Sequence, residues 1–254
     1  MAMSPRLLRP RATGFNPKSI SGLIGWWDFS DASTLGPTSS GTGTVSNNGP
    51  IKYVKDKSGA SAAMVQTGAD SVAPTYLTAG QNNLSVAGFD GGDSMVSTFT
   101  RTFSAQTVFA VARMASASSS NGRLFTQSDA GNDFGTTGHY IPLQREVASE
   151  SISSYASGGG RAAVSVTYDT WFLACSRHTG SEIQNRINNG SAATYSHTLS
   201  KEFTRFGIGE GLPSFGTRWQ NRIAEIVLFS RSLTDSEMNA VARWLGKKWN
   251  IAVA

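Results

Sequence analysis

Few residues of this 254-residue chain stand at spacings that support chemistry. The three histidines, His139, His178 and His197, are scattered, and none has metal-ligand spacing with another histidine or with the single cysteine, Cys175. His178 lies three residues beyond Cys175, an offset that points the two side chains to opposite faces of an extended strand. Cys175 alternates instead with Trp171 and Leu173 and reads as a small buried apolar residue. Neither a Walker-type phosphate loop nor a nucleophile elbow is present. The aromatic residues remain. Trp26 and Trp27 are adjacent, so they face opposite sides of a strand. One is expected in the core, and the other is free to stack on a sugar ring. Trp219 follows Arg218 on an expected loop. Trp27, Trp219 and Arg218 are therefore the candidate glycan-binding residues, although large aromatics serve mostly as core or interface anchors.

The elements that must position these residues are mostly strands. Charged residues make up 15% of the chain, against roughly 25% in an average soluble domain. Gly, Ser, Thr, Ala and Asn fill the difference, a turn-rich composition suited to many short strands. Residues 1–18 contain Arg6, Arg9, Arg11 and Lys18 and no acid, and carry most of the net charge of +5. Such a segment reads as a flexible basic arm that docks on a partner protein. The remainder is near neutral, so no nucleic-acid partner is expected. No membrane span and no signal peptide are expected either. Strands are expected over residues 23–29, 84–89, 95–99, 103–113, 171–175, 183–187, 206–208 and 223–229. The run 103–113 is apolar on both faces, as in a central strand between two layers. Residues 188–190, Asn-Asn-Gly, signal a hairpin. One helix is expected over residues 234–249, opened by Thr234 and Glu237 as a capping box. Its apolar stripe is Met238, Val241, Ala242, Leu245 and Trp249. The expected organisation is an arm over residues 1–19 and one domain over residues 20–254.

Seven segments then resemble, in order, one family. They are residues 22–35 (GLIGWWDFSDASTL), 54–59 (VKDKSG), 89–95 (FDGGDSM), 169–173 (DTWFL), 188–190 (NNG), 223–237 (IAEIVLFSRSLTDSE) and 244–251 (WLGKKWNI). Together they look like the concanavalin A-like, laminin-G-like jelly-roll domains of phage virion and bacterial surface proteins. The resemblance implies an all-β fold, a two-sheet antiparallel jelly-roll sandwich with a C-terminal amphipathic helix and an extended N-terminal arm. It also implies calcium as the one candidate ion, at Asp90 and Asp93, with Ser94 replacing a further carboxylate of the family turn. No other cofactor is expected. Retaining glucanases of this fold carry closely spaced carboxylates along one strand. Here Glu146 and Glu150 have no acid between them, so an enzyme is not expected. The short basic start resembles those of some phage virion proteins. The expected function is thus a non-catalytic virion structural or attachment protein, a capsid decoration or tail-fibre component. Its arm would hold it to other virion proteins in a homo-oligomer or symmetric assembly. The alternative is a carbohydrate-binding module, extracellular or at the cell surface, that meets cell-surface glycan.

Overall fold

The computed structural model describes residues 14–60, 63–116, 121–129, 138–146, 150–210 and 218–254. In chain order the strands are β1 (Leu23–Asp28), β2 (Leu35–Gly36), β3 (Tyr53–Val54), β4 (Met64–Val65), β5 (Thr75–Gln81), β6 (Leu84–Asp90) and β7 (Met95–Ser97). There follow β8 (Arg101–Phe103), β9 (Gln106–Met114), β10 (Arg123–Ser128), β11 (Tyr140–Glu146), β12 (Ser151–Ala156) and β13 (Arg161–Ser165). The last are β14 (Trp171–His178), β15 (Glu182–Ile187), β16 (Ala193–Ser196), β17 (Lys201–Phe203), β18 (Arg205–Ile208) and β19 (Gln220–Phe229), before the helix α1 (Asp235–Trp249).

Two antiparallel sheets form the body. The first runs β16-β15-β14-β9-β19-β6-β5, with β1 also paired to β19. The second runs β13-β12-β11-β10-β18-β7-β4-β3-β2. The strand expected over 103–113 is in fact two. The chain breaks after Phe103, and β8 leaves to pair with β17 in a separate two-stranded ribbon.

Period-two alternation divides the core into two layers. On β9, Val108, Ala110, Ala112 and Met114 face the second sheet. Phe109 and Val111 face the other way and meet Met238, Val241, Leu245 and Trp249 of α1. From Gln106 to Ala112 neither face of this strand reaches water, which explains its unbroken apolar run. The helix starts as expected: Thr234 Oγ1 accepts from the Glu237 backbone N–H, and the Glu237 side chain accepts from the Thr234 N–H. It stops at Asn250, in the left-handed conformation with φ of 52°, which Asn tolerates better than most residues. Cys175 is buried in the helix-side layer, with His178 on the opposite face of β14. The β15–β16 hairpin turns at Asn188 and Asn189, with φ of 50° and 59°. Its turn is tied to residue 254, where Ala254 N–H donates to Asn188 O (3.0 Å).

Candidate functional site

The structure removes both tryptophans expected to meet sugar. Trp27 is 0% exposed, because alternation on β1 sends it between the sheets against Phe125. Trp219 is also 0% exposed, its backbone fixed by a bond from its N–H to Gly209 O at 2.9 Å. A ring with no free face stacks on nothing, so both are core residues. Arg218 reaches across to donate to the Gly92 carbonyl.

That contact places Arg218 at the Asp90–Asp93 turn. Asp90 Oδ1 accepts from Gly92 N–H (2.6 Å), and Asp93 Oδ2 accepts from Asp90 N–H (2.9 Å). Burial, helped by the neighbouring Asp90 charge, pushes the Asp93 carboxyl up to about 6. These carboxylates do not suit calcium, which takes six to eight oxygen ligands. They are occupied by backbone N–H groups and share their turn with an arginine. Among the described residues no three His, Cys, Asp or Glu side chains converge on a metal position. Of the basic arm, Arg6, Arg9 and Arg11 lie outside the described residues. Lys18 is exposed on a short 3-10 turn, Pro17–Ser19.

The histidines are less scattered than their spacing suggests. His178 Nε2 lies 2.9 Å from His197 Nδ1. Gly180 N–H donates to His178 Nδ1 (3.0 Å), so the His178 proton sits on Nε2 and is donated to His197. Burial and the neighbouring His197 hold His178 down at about 3. The pair is neutral and structural.

The densest cluster of ionisable groups joins β1, β19 and α1. Asp28 and Glu225 are direct register partners, and alternation turns both toward the helix. Glu225 Oε1 accepts from Trp26 Nε1–H (2.6 Å). Its Oε2 accepts from Trp249 Nε1–H and from Lys248 Nζ, both at 2.7 Å. Asp28 Oδ2 meets Lys248 and Lys57, each at 2.9 Å. Lys57 also pairs with Asp31 at 2.9 Å. Burial, reinforced by the Asp28 charge, pushes Glu225 above the usual carboxylate range. Burial acts on Asp28 in the same sense, but Lys248, Lys57 and Ser30 outweigh it and hold Asp28 below that range. Cross-strand partners stand about 5 Å apart, the separation of a retaining glycosidase pair. Glu225 has no exposed surface, however. The cluster clamps the last turn of the helix to the sheet.

Outside the clamp lies an open aromatic surface. Trp244 is only partly buried, about 120° around the helix from its buried stripe at 3.6 residues per turn. Its ring meets Trp26 edge-on (centroids 5.7 Å, 80°) and Phe15 at a tilt (6.2 Å, 56°). Lys248 Nζ stands 5.7 Å from its centroid. Trp244 forms the wall of a groove of about 770 Å³, with Phe15, Leu84, Asn82, Arg243 and Lys247. A second groove, about 550 Å³, runs beside Trp26 and carries Lys18, Lys55 and Lys57. Trp244 was absent from the sequence candidates. Its signal was a large aromatic that breaks the helix's own apolar periodicity.

The second sheet holds one further arrangement. Glu146, on the face of β11 away from Leu143, accepts from Gln144 Nε2 (2.7 Å), from Ser153 Oγ and from Arg161 Nη1 (2.9 Å). Arg123 in turn donates to Gln144 Oε1. This is a carboxylate held on a polar strip that crosses four strands. Glu150 is exposed and outside the strip.

The architecture is that of a two-sheet jelly-roll sandwich, as the sequence resemblance implied. No family model matches the sequence, and no curated protein matches it. Solved structures match in fold. A GH54 α-L-arabinofuranosidase soaked with 4-nitrophenyl α-L-arabinofuranoside is 15% identical over 91% of this chain and 65% of its own, with a TM-score of 0.65. Domain 4 of AbnA, a GH43 extracellular arabinanase from Geobacillus stearothermophilus in complex with arabinotriose, is 11% identical over 87% of this chain and 98% of its own, with a TM-score of 0.55. A Trypanosoma rangeli sialidase is 13% identical over 92% of this chain, which spans 34% of that protein's length, with a TM-score of 0.52. These neighbours overturn two expectations. They are carbohydrate-active enzymes, so neither a non-catalytic virion structural protein nor the exclusion of enzymes is retained.

Proposed function

We propose that this chain is a carbohydrate-recognising β-sandwich whose glycan site is the Trp244 groove. The Trp244 ring, only partly buried and open to the groove, carries the reading. Trp26 and Phe15 fix its angle, and Asn82, Arg243 and Lys247 place polar groups around it. An apolar ring flanked by a few hydrogen-bonding side chains is how a concave site orients a sugar. The arabinotriose-bound AbnA domain, matched over nearly its whole length, supports this reading. The test is a glycan array followed by calorimetry on the best ligand. Trp244→Ala should weaken binding at least tenfold, about 1.4 kcal/mol. Trp171→Ala, at another partly buried tryptophan lining a different pocket, should leave it unchanged. Equal binding by both variants, or no glycan bound by the native protein, refutes the reading.

One observation favours hydrolysis as a second reading. Glu146 is nearly buried yet ionically held, the setting of a positioned acid. Release of 4-nitrophenol from 4-nitrophenyl glycosides, abolished in Glu146→Gln, would support it. No turnover above buffer by the native protein would exclude it for those substrates.

A further inference from the structure

We infer that the Trp244 groove takes an acidic oligosaccharide, one bearing carboxylates as uronic or sialic acid residues do. This rests on the glycan reading of that groove and adds the ligand's charge to it. The acids and bases around the aromatic row are segregated. No Asp or Glu lines the Trp244 groove, which carries Arg243, Lys247 and Lys248. Its neighbour beside Trp26 carries Lys18, Lys55 and Lys57 against a single acid, Asp56.

The acids nearby are committed elsewhere. Asp56 is buried and accepts from the backbone N–H groups of Trp26 (2.8 Å), Ser58 (2.9 Å), Gly59 (3.1 Å) and Ala60 (3.1 Å). Asp28 and Glu225 are sealed inside the clamp, where they occupy Lys57 and Lys248. Four cations are left over: among the described residues Arg243, Lys247, Lys18 and Lys55 form no ion pair. The charge is concentrated, since apart from the N-terminal arm the chain is close to neutral. A planar guanidinium beside a stacking ring suits a ligand that offers a carboxylate next to an apolar ring face.

The experiment measures, by calorimetry on the full chain, a short oligogalacturonate and a neutral arabino-oligosaccharide of equal length. Single-stranded DNA of matched charge is the third probe. The native protein should prefer oligogalacturonate about tenfold at low salt, and the preference should shrink at roughly 0.5 M salt as screening shortens. The double variant Arg243→Ala/Lys247→Ala should lose the preference, so that the acidic and the neutral sugar bind that variant within about twofold of each other, because an exposed cation adds its Coulomb attraction only for a charged ligand. Its melting temperature checks that the helix is intact. Equal affinity for neutral and acidic sugar overturns this inference and leaves the glycan reading standing. Failure to bind either sugar overturns both. DNA bound as tightly as oligogalacturonate also overturns the inference, by showing attraction to charge without sugar recognition.

Discussion

Lys248→Met tests the clamp directly. Lys248 Nζ stands 2.7 Å from Glu225 and 2.9 Å from Asp28, and both carboxylates are almost wholly buried. Removing the cation leaves Glu225 with two indole donors and no counter-charge, and leaves Asp28 with Lys57 alone. Breaking a buried pair from one side costs about 3–5 kcal/mol. At about 2–4 °C per kcal/mol for a domain of this size, melting should fall by roughly 10 °C at pH 7. The pH dependence is diagnostic. Glu225 titrates above the usual carboxylate range when folded, so its ionised form penalises the folded state as pH rises through that raised value. Without Lys248 that penalty grows, and it should be relieved on acidification as Glu225 takes up a proton. Calorimetric melting of both proteins from pH 8 to pH 5 should therefore show a gap that narrows with falling pH. A gap below about 1 kcal/mol, the value of an exposed pair, would mean that the carboxylates are hydrated. A gap constant with pH would mean that Lys248 acts through packing.

Three further perturbations follow from the site geometry. His178 is held at about 3 when folded, so stability should fall as pH drops below its ordinary value of 6.5 toward 3; His178→Gln should flatten that part of a chemical-denaturation pH profile. Asp93 has the opposite sign: its folded value near 6 means stability is lost as pH rises from 3.8 through 6. Asp93→Asn should therefore gain about 1 kcal/mol at pH 8 and nothing at pH 4, measured by urea midpoint. At the β15–β16 turn, Asn189 has φ of 59°. Asn189 Nδ2 also donates to Asn239 Oδ1 (3.0 Å) and Ala254 O (2.7 Å), so Asn189→Val should cost about 2 kcal/mol in the same assay, and Asn189→Gly, which keeps the positive φ and loses only those bonds, should cost about 1 kcal/mol less.

The local features of the fold were legible. The capping box at Thr234, the Asn188–Asn189 turn and the double-sided apolar run of β9 each follow from the few residues that form them. The site was less so. Trp26 and Trp27 had to face opposite ways, but adjacency does not say that the first sheet is covered on both sides, with a helix over Trp26. Trp219 looked exposed because the glycine and arginine before it suggest a loop, yet the following strand carries it inward. The clamp was invisible because Trp26 and Glu225 are 199 residues apart and meet only through strand register. Trp244 was present in the pattern as an exception to the helix stripe, and an exception of that kind marks an aromatic at the edge of the core rather than inside it.

Cys175 is the chain's one sulfhydryl, sealed between the first sheet and α1, where burial pushes it up to about 12. Only the thiolate attacks a disulfide reagent, so labelling must wait until the helix lifts from the sheet. The protein therefore has a built-in clock for that opening. Its modification rate reports how often the helix layer comes away, without any added probe, and a saccharide resting against Trp244 should slow it.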